Sequence, residues 1–282
     1  MGRARTAQIV GVSGREWHEC PQRRPASHKV TPPLDPMHLY DRVGTEYGNV
    51  RKEDPRLAKA ILEALGDARS IVNVGAGAGS YEPVDRQVVA IEPSVGMIAQ
   101  RPPGGAAVVR AVAEALPLAT GSVSTSLAVL TVHHWPNQDV GLGELCRVSR
   151  ERVVIFTWDP DSTGFWLTRD YFPDFLEQDR KRFPAIASLT RHLDEARVVP
   201  VLIPHDCQDG FLGAYWRRPG AYLDAAVRRG ISRFALCEDL SPLKGLRRDL
   251  ESGEWEARYA EVLRAEEWDL GYRLVVGTPL RA

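Results

Sequence analysis

Ile71-Val-Asn-Val-Gly-Ala-Gly-Ala-Gly-Ser-Tyr81 and, a little further on, Val88-Val-Ala-Ile-Glu-Pro-Ser94 decide how this chain is read. An apolar run enters a loop with glycine at 75, 77 and 79. A second apolar run then ends on a carboxylate, Glu92. Glycine has no Cβ, so such a loop bends sharply and lets a ligand approach the backbone. An acidic residue closing the next strand is where α/β nucleotide sites hold ribose hydroxyls. Together the two signals imply an adenosine-containing cofactor.

Working outward, the pattern alternates. Asp54-Pro55 predicts a helix through Leu65, with Asp as its cap, Pro at its first position, and Leu57, Ile61, Leu62 and Leu65 on one face. Strands are expected at 70–74, 88–91, 106–109, 122–130 and 152–157, with helices after Ser94 and over 140–148. Strands separated by helices mean crossover connections and a parallel sheet covered on both faces. Beyond Trp158 the alternation breaks. Residues 159–196, including 170–183, and 212–265 read as helical; the regions 159–196 and 211–268 hold Phe165, Trp166, Tyr171, Phe172, Phe175, Tyr215, Trp216 and Tyr222. These stretches are too long for bare connections and read as a lid that shapes a pocket. A sixth strand is expected at 198–203 and a closing one at 270–278.

With 282 residues, 44% hydrophobic and 26% charged, the chain suits one large α/β domain with insertions. A formal net charge of −1 gives no electrostatic reason to expect nucleic acid or an anionic membrane as partner. Cysteines at 20, 146, 207 and 237 form no CxxC pair, and the three histidines at 133, 134 and 205 lack a known ligand spacing, so no metal is expected. No apolar run approaches the roughly 20 residues that span a bilayer, and the expectation is a cytoplasmic protein. Residues 1–36, arginine- and proline-rich without a hydrophobic period, read as a disordered arm or a non-native extension, leaving 37–282 as the domain.

A dehydrogenase fingerprint carries a glycine three places after its second one, and none stands three places after Gly77. Further segments sharpen the choice: Tyr40-Asp-Arg-Val-Gly-Thr-Glu-Tyr47, Val72–Gly79, Ile91-Glu-Pro-Ser-Val-Gly-Met97, Ala113-Glu-Ala-Leu-Pro-Leu118 and Leu127-Ala-Val-Leu-Thr-Val-His-His-Trp135. In this order, over about residues 38–158, they resemble the class I S-adenosylmethionine-dependent methyltransferases, type 11 group, which includes the ubiquinone- and menaquinone-biosynthesis-type enzymes. The resemblance implies a Rossmann-like, mostly parallel sheet of seven strands, the last antiparallel, with helical lid insertions.

It also implies a binding set. Gly75, Gly77 and Gly79 would lie against the methionyl part, near a following helix; Glu92 would take both ribose hydroxyls; Met97, Pro93, Ala113, Glu114 and Leu130 would surround the rest. Tyr40, Tyr47 and Arg51 are candidates to close over the cofactor, Arg51 by pairing with its carboxylate. Relatives mostly have an acid where this chain has Asn73, and often Asp where it has Val112; Asn73 can still hydrogen-bond, while Val112 cannot. The acceptor is expected to be a small molecule, with oligomeric state open. If it needs a general base, the candidates are His205 with Asp206, and His134. Two alternatives stand beside this reading: a non-catalytic regulator or scaffold of the same fold, and a NAD(P)-dependent oxidoreductase.

Overall fold

Asp54 starts the first element. Its side chain accepts from the Arg56 amide, Pro55 occupies the first turn, and the helix Pro55–Leu65 ends at Gly66 with φ 58°. Leu57, Ile61 and Leu65 are buried, each contributing roughly 1.5–3 kcal/mol. The computed structural model describes residues 51–162 and 164–280. The expectations for Tyr40, Tyr47 and the segment 1–36 therefore lie outside the described residues.

Seven strands form one sheet: β1 (Ser70–Val74), β2 (Gln87–Ile91), β3 (Ala107–Val109), β4 (Val123–Val129), β5 (Ser149–Trp158), β6 (Leu193–Pro200) and β9 (Tyr272–Pro279). Two short strands, β7 (Ile203–Pro204) and β8 (Glu267–Trp268), pair apart from it. The order in the main sheet is β3-β2-β1-β4-β5-β9-β6. The pairings among β1 to β5 are parallel, and β9 runs antiparallel to both β5 and β6. This is the mostly parallel, seven-stranded arrangement with an antiparallel last strand that the sequence implied. Side chains alternate between two cores. Ile71, Leu127, Val154 and Phe156 face the helix Pro55–Leu65, whereas Val72, Val74, Val153 and Ile155 pack with Leu142, Leu145 and Val148 of the helix Gln138–Val148.

Two expectations need correction. No helix follows the glycine loop; residues 75–86 run in turns. Gly75, Gly77 and Gly79 have φ of 69°, 53° and 97°, and Tyr81 follows at 64°. A right-handed helix cannot propagate through alternating left-handed residues. The sixth strand lies earlier than 198–203. It begins at Leu193, and β7 leaves the sheet to pair with β8.

The region after β5 is built on aromatic packing. Trp166 and Trp216 are 1% exposed. Trp166 Nε1 donates to the Trp216 carbonyl at 2.7 Å, and Trp216 Nε1 to the Ile203 carbonyl at 3.0 Å. Tyr171, Tyr222 and Trp255 meet Trp166 edge-on. The Trp166 and Trp216 indole N–H groups thus both have partners, as burial demands. These rings belong to the same core as Leu57 and Val154.

Candidate functional site

The carboxyl ends of β1, β2 and β4 open onto a cavity of about 330 Å³. In an open α/β sheet this is where ligands bind. Gly75, Ala76 and Gly77 form its floor, with Glu92, Pro93 and Met97 after β2, and Leu130, Thr131 and His134 after β4. Arg51, Asn73, Val112, Ala113, Glu114 and Trp135 also line it.

Glu92 is buried, and its orientation is fixed by two backbone amides, Gly77 N–H at 2.8 Å and Ser94 N–H at 2.9 Å. Such charge-assisted bonds are about twice as strong as neutral ones. The Ser94 hydroxyl then accepts the Met97 amide, capping the short helix Val95–Ile98 and turning buried Met97 into the cavity. Gly75 has no room for a side chain: a Cβ there would stand 1.9 Å from Thr131 Oγ1. At Gly77 a Cβ would meet Met97 Cε at 3.2 Å.

Asn73 takes up the place of an acid through a relay. Its Nδ2 donates to Glu82 Oε1 at 3.0 Å, Glu82 pairs with Arg101 at 2.5 Å, and Arg101 donates to the Gly77 carbonyl. The Glu82 carboxylate thus reaches Asn73 from elsewhere in the chain, and Arg101 ties the pair to the loop. Asn73 lines the cavity, and its buried Oδ1 has no hydrogen-bond partner among the described residues. Glu114 has a structural duty: its side chain accepts the Asn137 amide at the start of the helix Gln138–Val148.

Arg51 forks onto Asp209 at 2.5 and 3.2 Å. Asp209, almost fully buried, also accepts from the Tyr81 hydroxyl at 2.8 Å and the Gly210 amide. Tyr81, on the cavity wall, and Asp209, which holds Arg51 there, are residues that sequence reasoning missed. They stand far apart along the chain, so their bond left no local signal. Gly79 is not on the cavity wall; the space above its Cα is taken by the Arg101 guanidinium.

A smaller cavity of about 70 Å³ adjoins the first, with Arg51, Leu130 and His134 lining both. His134 Nδ1 lies 3.2 Å from an Arg182 nitrogen. A guanidinium only donates, so Nδ1 accepts and Nε2 carries the proton. Burial, reinforced by Arg182 and Arg51, pushes His134 down to about 3, and burial holds His133 well below its ordinary range as well. Both rings are neutral near pH 7, and His134 keeps no basic lone pair in this geometry.

His205 and Asp206 line neither cavity. His205 Nδ1 faces Glu266, and Asp206 pairs with Arg56 at 2.7 Å on an exposed surface. The shift of β6 explains this: residues after Pro200 follow the β7–β8 ribbon instead of ending a sheet strand. Among the described residues no group of His, Cys, Asp and Glu is arranged to hold a metal ion, and no helix is long and apolar enough to cross a membrane.

A glycine cradle at the end of β1, an anchored carboxylate at the end of β2 and the β3-β2-β1-β4-β5-β9-β6 sheet define an S-adenosylmethionine-dependent methyltransferase. Comparison with known proteins agrees. A family model described as "Methyltransferase domain" matches residues 72–157. The chain is 34% identical to an Anabaena variabilis ATCC 29413 protein described as "Putative methyltransferase from antibiotic biosynthesis pathway", covering 81% of this chain and 99% of that one at a TM-score of 0.74. An S-adenosylmethionine-dependent methyltransferase from Thermotoga maritima, described as a possible histamine N-methyltransferase, shares the fold at 17% identity, 86% and 99% coverage and TM-score 0.51. The [4+2]-cyclase SpnF does so at 14% identity, 86% and 96% coverage and TM-score 0.52. No curated protein matches. The chain belongs to the class I S-adenosylmethionine-dependent methyltransferases, type 11 group, and its cofactor is S-adenosylmethionine.

Proposed function

We propose that this enzyme methylates a small-molecule acceptor, with the larger cavity holding the cofactor and the smaller one receiving the acceptor. The observation that carries the reading is the unpaired Asn73 Oδ1 beside the Gly75–Gly77 cradle, on the same cavity as Glu92. An ammonium group is the natural donor to that oxygen, a ribose diol the natural donor to a carboxylate. Asn73, Gly75 and Gly77 then hold the methionyl part, Glu92 the ribose, and Met97, Pro93, Val112, Ala113 and Trp135 the adenine. Arg51, fixed by Asp209 and Tyr81, stands where the two cavities meet. S-Adenosylmethionine supplies an activated methyl group when bound. What the chain adds is orientation of the acceptor and exclusion of water, worth up to roughly 7–11 kcal/mol.

A small-molecule acceptor is supported by the second cavity and by the aromatic region that surrounds it. The rings that line it are Trp158, Phe183, Phe211 and Tyr272, whereas Trp166, Phe175 and Tyr222 fill the core behind. The description of the 34%-identical relative, an antibiotic biosynthesis methyltransferase, is in keeping with this class of acceptor. We assign the helical segments after Trp158 the role of building the acceptor pocket. Calorimetry with S-adenosylhomocysteine and NAD tests the proposal: S-adenosylhomocysteine should bind one to one and NAD should not. NAD binding without S-adenosylhomocysteine binding would overturn it.

A further inference from the structure

The smaller cavity holds charged groups that the cofactor does not need. Asp179 and Arg182 come from the helix Pro173–Arg182, and Ser232 and Arg233 from the short helix Ser232–Ala235. Asp179 is 3% exposed and Arg233 6%. Asp179 Oδ1 and Arg233 Nε stand 3.7 Å apart, too far for a hydrogen bond, and neither atom has a hydrogen-bond partner among the described residues. His133 Nδ1, on the same lining, is a third buried atom in that position. Buried polar atoms are normally paired, and three exceptions around one small void call for an explanation. Arg233 is steadied by Gln178 and by the Phe175 ring at 4.8 Å, so its Nε is held in place.

The charges select the ligand. Arg51, Arg182 and Arg233 are cationic, Asp179 and Asp209 anionic, and the two histidines neutral. An ammonium approaching Asp179 is repelled by Arg233 and Arg182, whose charges act on that carboxylate. A neutral hydroxyl is not repelled, and any negative charge that grows on its oxygen is stabilised by the same two groups. Trp158, Phe183, Phe211 and Tyr272 give the walls aromatic surface suited to a ring.

We propose that this cavity is the acceptor subsite and that it takes a ring-borne hydroxyl of phenol type, with Asp179 Oδ1 accepting the hydroxyl proton and Arg233 Nε donating to its oxygen. This rests on the cofactor occupying the larger cavity. The O–H bond breaks with its proton going to Asp179. The pair left on oxygen bonds the methyl carbon as the sulfur–methyl pair returns to sulfur, so the carboxylate and sulfonium charges both disappear. Burial already pushes Asp179 up to about 6, against the pull of Arg233 and Arg182, and lowers Arg233 in turn. The other titratable or charged groups on the cavity lining are His133, His134, Tyr272 and Arg51 with its partner Asp209, while Cys237 acts on Arg233.

The test uses the full chain saturated with S-adenosylhomocysteine and two chromophoric probes, 4-nitrophenol and 4-nitroaniline. 4-Nitrophenol should bind about tenfold or more tighter than 4-nitroaniline, and Arg233→Met should remove about that factor. In Asp179→Asn the bound phenol should ionise at a pH about one unit lower, because a neighbouring anion has gone. Ser232→Trp, which fills the void, should abolish probe binding while S-adenosylhomocysteine still binds; it serves if either charge variant fails to fold. Equal affinity for the two probes, or a bound phenol whose ionisation ignores residue 179, overturns the inference. Failure of S-adenosylhomocysteine to bind the wild type would instead strike the cofactor assignment.

Discussion

Replacing Gly75 by alanine perturbs the glycine cradle, the proposed cofactor seat, at one carbon atom. The residue sits at φ 69°, a conformation that costs an L side chain about 1–2 kcal/mol. The new Cβ would stand 1.9 Å from Thr131 Oγ1, 2.8 Å from Thr131 Cβ and 2.9 Å from Thr131 Cγ2. Relieving such overlap in a packed site costs about 1–3 kcal/mol more. The sum, about 2–5 kcal/mol, is drawn from the conformation that binds, because the same loop carries Gly77 N–H to Glu92. Titration with S-adenosylhomocysteine should therefore show a loss of about thirtyfold or more, and thermal unfolding a lower midpoint. Adding Thr131→Ala removes the Oγ1 and Cγ2 contacts but leaves the Cβ contact and the left-handed backbone, so recovery should be partial. Near-wild-type binding and melting in Gly75→Ala, or a double variant no better than the single, would refute the reasoning.

Two further outcomes follow from the same geometry. Glu92→Gln keeps the shape but offers one oxygen to two amides, so the Gly77 or Ser94 N–H faces an NH₂ group; S-adenosylhomocysteine affinity should fall by about 1.5–3 kcal/mol, and unchanged affinity would remove Glu92 from the site. Asp54 resists protonation: burial alone would raise it, but bonds from Arg56 and the Gln208 amide prevail and hold it at about 2. A depressed carboxylate stabilises the fold above its unfolded value near 4 and loses that contribution as pH falls toward 2. Asp54→Ala should accordingly cost about 1–2 kcal/mol near neutral pH and converge with wild type in acid unfolding between about pH 4 and 2; a gap constant across that range would refute it.

The parts of the site legible in the sequence are those whose partners are close along the chain. Gly75, Gly77, Glu92 and Met97 fall in one short stretch and declare themselves by spacing and glycine content. Asn73 read as a deviation from its relatives, and only the fold reveals Glu82 and Arg101 behind it. The sixth strand misled because it lies at the sheet edge, where Val198 and Val199 are exposed at 40% and 49%. An apolar run there marks no core, and it carried the expectation for His205 and Asp206 to the wrong place in the fold. Asp179 and Arg233, distant in sequence and on separate helices, meet only through tertiary packing. Nothing in either local sequence announces a site.

The Trp166–Trp216 linkage has a consequence for redesign. Because these indoles share one core with Leu57 and Val154, the segments around the smaller cavity are not a cassette that can be exchanged between relatives. Transplanting them would also swap the packing under the first helix and β5. New acceptor preferences are better sought one wall residue at a time, starting at Ser232, which borders the void on a short helix away from the sheet strands.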